Sequence, residues 1–374
     1  MSNFEPEEAT SSGLLQARED LKLDMGWEIA DQTFCFPSDE LARILSPKKP
    51  KDGADISELL QIKDYDCDVD LDHDFQNALN HVVEKPKLYT SPSDSAEESH
   101  YEPLANYLTD YVKSCNEALD GQKTSSKEKE GPKRWYHDLG FVPARPMADK
   151  VEGAASLEPD IVGGNGISKF RDDSFYWKAP ADKPTHQLMI PVEVKENWQE
   201  IVSQAATHAR AIFSERPMRV FALVLAFNNK EKKFTFLIFH RGGLAASEPS
   251  DITTEDGSKE VARLFLTLAL WRTAADAGIV ACSDDTTYLL PKDPEGKDHV
   301  RATVDSVLFK SASIRGRMTH VFLLRLLGPD SPDQEKNPVE QSVGSSRRTT
   351  RARGKAKEQG TEIEGQVIWE CADR

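Results

Sequence analysis

The chain has 374 residues, of which 47 are Lys or Arg and 63 are Asp or Glu, giving a formal charge of −16. With 38% hydrophobic and 29% charged residues, 21 Gly and 21 Pro, its composition is that of an ordinary globular protein. Collagen-like, mucin-like and coiled-coil architectures are excluded, and at about 100–200 residues per domain the length leaves room for two or three folded units.

The opening MSNFEPEEATSSG lacks the basic and apolar stretches of a secretory signal. No apolar run approaches the roughly 18 residues a membrane-spanning helix needs. Cys35, Cys67, Cys115, Cys282 and Cys371 are scattered and nowhere spaced as CxxC, against the pattern of a disulfide framework or a structural zinc site. The expectation is a soluble intracellular protein, nuclear or cytoplasmic, with no membrane partner. Its charge is uneven: residues 1–120 carry −17, which leaves +1 for 121–374. A nucleic acid is repelled by the first third and tolerated by the rest.

Residues 1–95 read as an acidic, irregular region with short helices at 39–45 and 75–83. Between them Asp64 to Asp74 forms an alternating acidic ladder. Neither register puts Gly at position 6 and Glu at position 12 of a calcium loop, so it reads as a solvated surface. From Leu104 to Leu119 the apolar residues follow the i, i+3, i+4, i+7 rule of a helix face. A polar loop over 121–133 follows. A short strand at 157–162, ended by Gly163-Gly164, precedes a second at 187–194 and a helix at 198–214. The run RVFALVLAF at 219–227 is apolar throughout, as for a strand covered on both faces. Residues 234–239 form its partner across a polar turn, and His240-Arg-Gly-Gly243 is a further turn. A smaller unit is expected beyond, with a helix at 261–277 capped by Gly278 and strands at 287–290, 303–309 and 320–326. From 328 the chain reads as an unpacked tail. Within it Arg347, Arg348, Arg351, Arg353, Lys355 and Lys357 make a basic run, either a nuclear-import or nucleic-acid-binding segment or a solvated linker.

The segments that carry chemistry are Glu158-Pro159-Asp160 and Glu193-Val194-Lys195. Residues two apart on a strand share a face, so Glu193 and Lys195 project together from an apolar strand, and Asp160 can bring a second carboxylate to the same edge. Adjacent carboxylates resist joint ionisation unless a cation joins them, and hard oxygens of this kind suit Mg²⁺. A lysine beside such an ion can orient or deprotonate a water. Gln204 and His208 lie one turn apart on the inward stripe of the next helix, where each needs a polar partner. The plainer alternatives are a surface ion pair between Glu193 and Lys195 and ordinary core hydrogen bonds for Gln204 and His208. No Walker A loop or GxSxG elbow is present.

The order PD…ExK…Q, set in helix–strands–helix–strand, resembles the PD-(D/E)xK nuclease fold. The resemblance spans about 96–245. It implies an α/β (α+β) restriction-endonuclease-like core with a mixed central sheet, with Asp160 and Glu193 holding Mg²⁺ or Mn²⁺, Lys195 acting on the attacking water, and DNA as substrate. Gln204 with His208 falls where many members carry QxxxY, which implies a catalytic place for Gln204 and a nucleic-acid contact for His208. Glu102, at the head of the upstream helix, is the candidate further metal ligand.

LEPDIVGG (157–164), IPVEVKENWQE (190–200), ARAIFSERPMRVFALVLAF (209–227), FTFLIFHRGGLAASEP (234–249), LALW (268–271) and SIRGRMTHVF (313–322) are similar to the front half of the basidiomycete fungal-type protein kinases. No VAIK-like strand, HRD loop or DFG follows, so the chain looks like that front half without its kinase domain. The expected organisation is an acidic region over 1–95, the nuclease-like domain over 96–249, a small α+β unit over 250–327 and a disordered basic tail over 328–374. Three functions compete. The first is a Mg²⁺-dependent nuclease. The second is a non-catalytic module serving a kinase domain or another protein partner. The third is phosphoryl transfer, with a kinase domain supplied elsewhere.

Overall fold

The computed structural model describes residues 32–47, 73–84, 87–94, 96–121, 134–144, 147–149, 151, 157–169, 173–180, 182–216, 219–272, 276–279, 287–291, 299–309, 320–326 and 366–369. All of the loop expected over 121–133 but Gly121, most of the acidic ladder and the basic run at 347–357 lie outside these residues.

Among the described residues, five helices and two sheets carry the fold. The helices are α1 (Ser38–Leu45), α2 (His73–Glu84), α3 (Tyr101–Gly121), α4 (Trp198–Glu215) and α5 (Glu255–Ala269). The main sheet holds β1 (Thr33–Phe36), β2 (Leu139–Pro143), β3 (Ile161–Asn165), β4 (Ile190–Lys195), β5 (Phe221–Asn228), β6 (Lys233–His240) and β7 (Gly243–Ser247), in the order β1-β7-β6-β5-β4-β3-β2, with β8 (Ser250–Asp251) on β6. Pairs β1–β7 and β4–β5 are parallel and the rest antiparallel. A second, antiparallel sheet runs β12-β11-β10-β9, from β9 (Thr287–Pro291), β10 (His299–Phe309), β11 (His320–Leu326) and β12 (Gln366–Trp369). Strand β12 falls inside the stretch expected to be unpacked, where its pairing with β11 gives four residues a place. Among the described residues no helix is long and apolar enough to cross a membrane.

Strand β5 shows why this sequence makes a two-sided sheet. Leu223, Leu225 and Phe227 face one core, with Leu104, Leu108 and Tyr111 of α3 and Phe265 of α5. Ala222, Val224 and Ala226 face the other, with Ala205, Ala209 and Phe213 of α4. Each face is apolar because each meets a helix layer, so the strand loses the polar–apolar alternation of a half-exposed one. Between β4 and β5, α4 makes the crossover that a parallel pair requires. Asn197 caps it, accepting a hydrogen bond from the Gln199 backbone N–H (2.8 Å).

Three expectations need correcting. Gly163 and Gly164 do not end a strand; they lie inside β3, paired with β2 and β4. A Cβ on Gly163 would lie 2.5 Å from Phe141 Cε1 and 3.0 Å from the Ile190 carbonyl oxygen, so the glycine marks close approach within the sheet. Helix α5 begins at Glu255, six residues early, because Thr254 caps it by accepting from Gly257 N–H (3.2 Å), and it ends at Ala269. Gly278 has φ +76° but belongs to a later turn, where its carbonyl accepts from Val220 N–H. Finally, α5 packs into the same core as α3 and β5, and β1 pairs β7. Divisions at 95 and at 250 both run through that packing.

Candidate functional site

The register of β3 on β4 sets Ile161 opposite Val192; extended by one residue, it brings Asp160 opposite Glu193. Asp160 is pinned at the mouth of β3. Its carbonyl accepts from Ala144 N–H (2.9 Å), and its Oδ2 accepts from Val194 N–H (2.8 Å). Alternation along β4 sends Val192 and Val194 into the α3 side of the core. Glu193 and Lys195 go the other way.

The four charges meet there. Lys195 Nζ donates to Asp160 Oδ2 (2.9 Å), to Glu97 Oε1 (2.5 Å) and to the Val194 carbonyl (2.9 Å), and Glu193 Oε2 lies 3.7 Å away. An ammonium has three protons, and all three are engaged. Glu97 comes from a single 3₁₀ turn, Glu97–His100, that leads into α3. Tyr101, the first residue of α3, lies between the two outer acids, with its hydroxyl 2.6 Å from Glu97 Oε1 and 2.8 Å from Asp160 Oδ1. Behind the cluster, Glu193 Oε1 is hydrogen-bonded to His208 Nε2 of α4, and Trp177 stacks on that imidazole.

Burial and crowding set the ionisation. Burial and the neighbouring Glu193 charge lift the Asp160 carboxyl above its ordinary value, against the pull of Lys195 and the Val194 amide. Burial disfavours the Lys195 ammonium, but Glu193 and Asp160, with the bonds to Glu97 and Asp160, outweigh it and hold its pKa above the usual lysine value. Burial, with the hydrogen bonds and charges of Glu97 and Asp160, raises Tyr101, so its hydroxyl stays protonated. The side chains of Asp160 and Lys195 are each 11% exposed and that of Glu97 31%. The cluster is therefore reachable from solvent through its outer acids.

Asp160, Glu193 and Lys195 thus come together. Glu102 does not join them. It is exposed and accepts from Asn106 Nδ2 (3.2 Å), and the upstream acid is Glu97, one turn earlier. The available signal was the pair Glu97-Glu98 ahead of the helix, with Tyr101 four residues on from Glu97. His208 is 1% exposed, which corrects its expected contact with nucleic acid. Gln204 is buried one turn before His208, and its Oε1 accepts no hydrogen bond from a described residue. Among the described residues no group of three or more His, Cys, Asp or Glu is spaced as a ready metal cage; the cation among these acids is the Lys195 ammonium.

Residues 177–335 match the family model described as fungal protein kinase. The match takes in Glu193, Lys195, Gln204 and His208 and leaves Glu97, Tyr101 and Asp160 outside it. No curated protein and no solved structure matches the chain.

Proposed function

We propose that this chain, whose residues 177–335 match the family model described as fungal protein kinase, carries a metal-dependent phosphodiester-hydrolysing site of the PD-(D/E)xK type, acting on nucleic acid. The observation that carries the proposal is the meeting of Asp160, Glu193 and Lys195 from two adjacent strand ends, with Glu97 from the upstream turn. The chain order around them, α3, three antiparallel strands, α4, then a parallel strand β5, supports the reading. The family's name describes a kinase, but residues 177–335 contain no HRD or DFG motif, and ATP transfer is not part of the proposal.

The donor set suits a hard divalent cation. Three carboxylates stand against one ammonium, and burial and then the neighbouring Glu193 charge raise the Asp160 pKa. Asp160 and Glu193, joined by Glu97, are the residues that would hold Mg²⁺ or Mn²⁺. The chemistry such an ion supplies when bound is polarisation of a phosphoryl oxygen toward attack by water. Lys195 has a narrower role than a base. Its pKa is raised, so it stays an ammonium at neutral pH; it offsets charge developing on the phosphate, and it would orient an attacking water by exchanging its bond to Glu97, which would turn to the cation. Tyr101 holds Asp160 and Glu97 to each other.

The test is cleavage of plasmid DNA and of single-stranded DNA and RNA oligonucleotides by the purified chain with Mg²⁺ or Mn²⁺. Metal-dependent cleavage is expected, falling about 100-fold or more in D160N and in K195M, while both variants keep the wild-type circular dichroism spectrum. Intact substrates under both ions, with protein that unfolds cooperatively in urea, overturn the hydrolytic reading. The chain would then be a non-catalytic module.

A further inference from the structure

Glu193 has a partner on the side away from Lys195. Its Oε1 is bonded to His208 Nε2, and both side chains are buried, at 0% and 1% exposure. Trp177 closes the other face of the imidazole, with ring centroids 5.6 Å apart and planes at 26°. Trp177 lies in the segment between β3 and β4 and is fixed by Gln187 of that segment and by Asp149 of the segment between β2 and β3. Its N–H donates to Asp149 Oδ1 (2.7 Å), and its carbonyl accepts from Gln187 Nε2 (2.5 Å). Gln187 Oε1 in turn accepts from Ala179 N–H (2.6 Å). A carboxylate only accepts, so Nε2 carries the proton in this pair and the imidazole's orientation follows.

A buried Glu–His pair is a poor way to stabilise a helix–sheet contact, because apolar residues of similar volume do as well or better. Its neighbours on the α4 stripe, Ile201, Ala205, Ala209 and Ile212, are apolar. The pair needs another reason, and geometry supplies one. With Oε1 held by α4, the other oxygen is turned toward Lys195, at 3.7 Å.

We infer that His208 is a positioning residue for Glu193, locked in place by the Trp177 stack, and that the segment between β3 and β4 serves as a buttress behind the site. The inference rests on the hydrolytic reading of the cluster. His208 itself is buried, at 1% exposure, and meets the cluster through Glu193. Ligand-orienting partners of this kind govern metal affinity more than folding.

The experiment compares Mn²⁺ binding by calorimetry, alongside thermal melts, in wild type, H208Q, H208N and H208L. A glutamine amide nitrogen lies as many bonds from Cα as the histidine Nε2 and can donate to the same oxygen; asparagine is one bond short, and leucine has no donor. H208L and H208N are expected to weaken Mn²⁺ binding about tenfold without lowering the Tm in step, and H208Q to keep near wild-type affinity. Wild-type affinity in H208L overturns the inference, and so does a folded H208Q that binds no better than H208L. A metal-free readout separates the two levels. In histidine-labelled protein, NMR should show a strongly downfield His208 Nε2–H proton that is lost in E193Q. A His208 signal indifferent to E193Q overturns the positioning role alone. Absence of Mn²⁺ uptake by wild type, with that signal still tied to Glu193, overturns the hydrolytic reading and reduces the pair to a strut.

Discussion

Tyr101 exposes a conflict at the scale of one proton. Its hydroxyl has a single proton to give, yet it sits within hydrogen-bond distance of two carboxylates, on Glu97 and Asp160. Burial and the Glu193 charge raise the pKa of Asp160 against the attraction of Lys195. A carboxyl whose folded pKa lies above its unfolded value binds protons more readily in the native state. Its ionisation therefore costs stability at neutral pH, and the cost is relieved as pH falls through the folded pKa. D160N should remove that cost while keeping the bonds. The asparagine oxygen can take the place of Oδ2 and accept from Val194 N–H and Lys195. Its amide then donates to the Tyr101 oxygen, freeing the tyrosine proton for Glu97. We predict that D160N melts at or above the wild-type temperature at pH 7.5. The difference should shrink as the pH is lowered through the raised Asp160 pKa toward 3.8. A D160N protein clearly less stable than wild type at pH 7.5, in urea titrations, contradicts this account of the cluster.

Elements differed in how plainly the sequence announced them, and β3 is the instructive case. Strands β4, β5 and β6 and helix α4 were legible because long apolar runs or a clear helical period marked them, and with them came Glu193 and Lys195 on one face. Strand β3 was not, because Gly163 and Gly164 read as a stop. The reason for those glycines is the Phe141 ring and the Ile190 carbonyl, contacts distant in sequence and invisible to a local pattern. Glu97 was missed for a similar reason, since one 3₁₀ turn leaves no periodic trace. His208 could be seen as a polar residue on an apolar stripe, but its partner lies fifteen residues back on another element. The β3 packing makes its own prediction. Replacing Gly163 by Ala forces a methyl against Phe141, with overpacking costs of about 1–3 kcal/mol, and strains the strand that carries Asp160 at its mouth. G163A should lose about that much stability in urea, and adding F141L should recover part of it, since the Ile190 oxygen still crowds the new Cβ. A G163A protein as stable as wild type contradicts the close approach of β2 and β3.

For the whole molecule, the residues flanking the site domain are structural parts of it. Trp271 Nε1–H donates to the Leu45 carbonyl (2.8 Å), joining the end of α5 to the end of α1. Ser258 Oγ–H donates to the Lys87 carbonyl (2.6 Å), Tyr111 O–H bonds Ser258, and Tyr89 N–H donates to the Ile252 carbonyl (2.9 Å). Leu41, Leu45, Leu79, Phe265 and Trp271 are all buried in the core shared with α3 and β5. Burial of each such side chain contributes about 1.5–3 kcal/mol, while a whole domain is stable by only about 5–15 kcal/mol. Removing α1, α2 and α5 therefore removes burial comparable to that whole margin. It also leaves α3 as the only one of these helices on one face of a sheet that is apolar on both, and the loss of β1 leaves β7 as an open edge. A fragment of residues 96–249 should accordingly fail to unfold cooperatively and should aggregate, although it contains all of Glu97, Tyr101, Asp160, Glu193, Lys195 and His208. A fragment of 32–279 should give a single sharp urea transition and bind Mn²⁺ as the full chain does. A cooperative transition from 96–249 would mean that the core closes around α3 and α4 alone, and that the flanking helices are lodged on the domain rather than built into it.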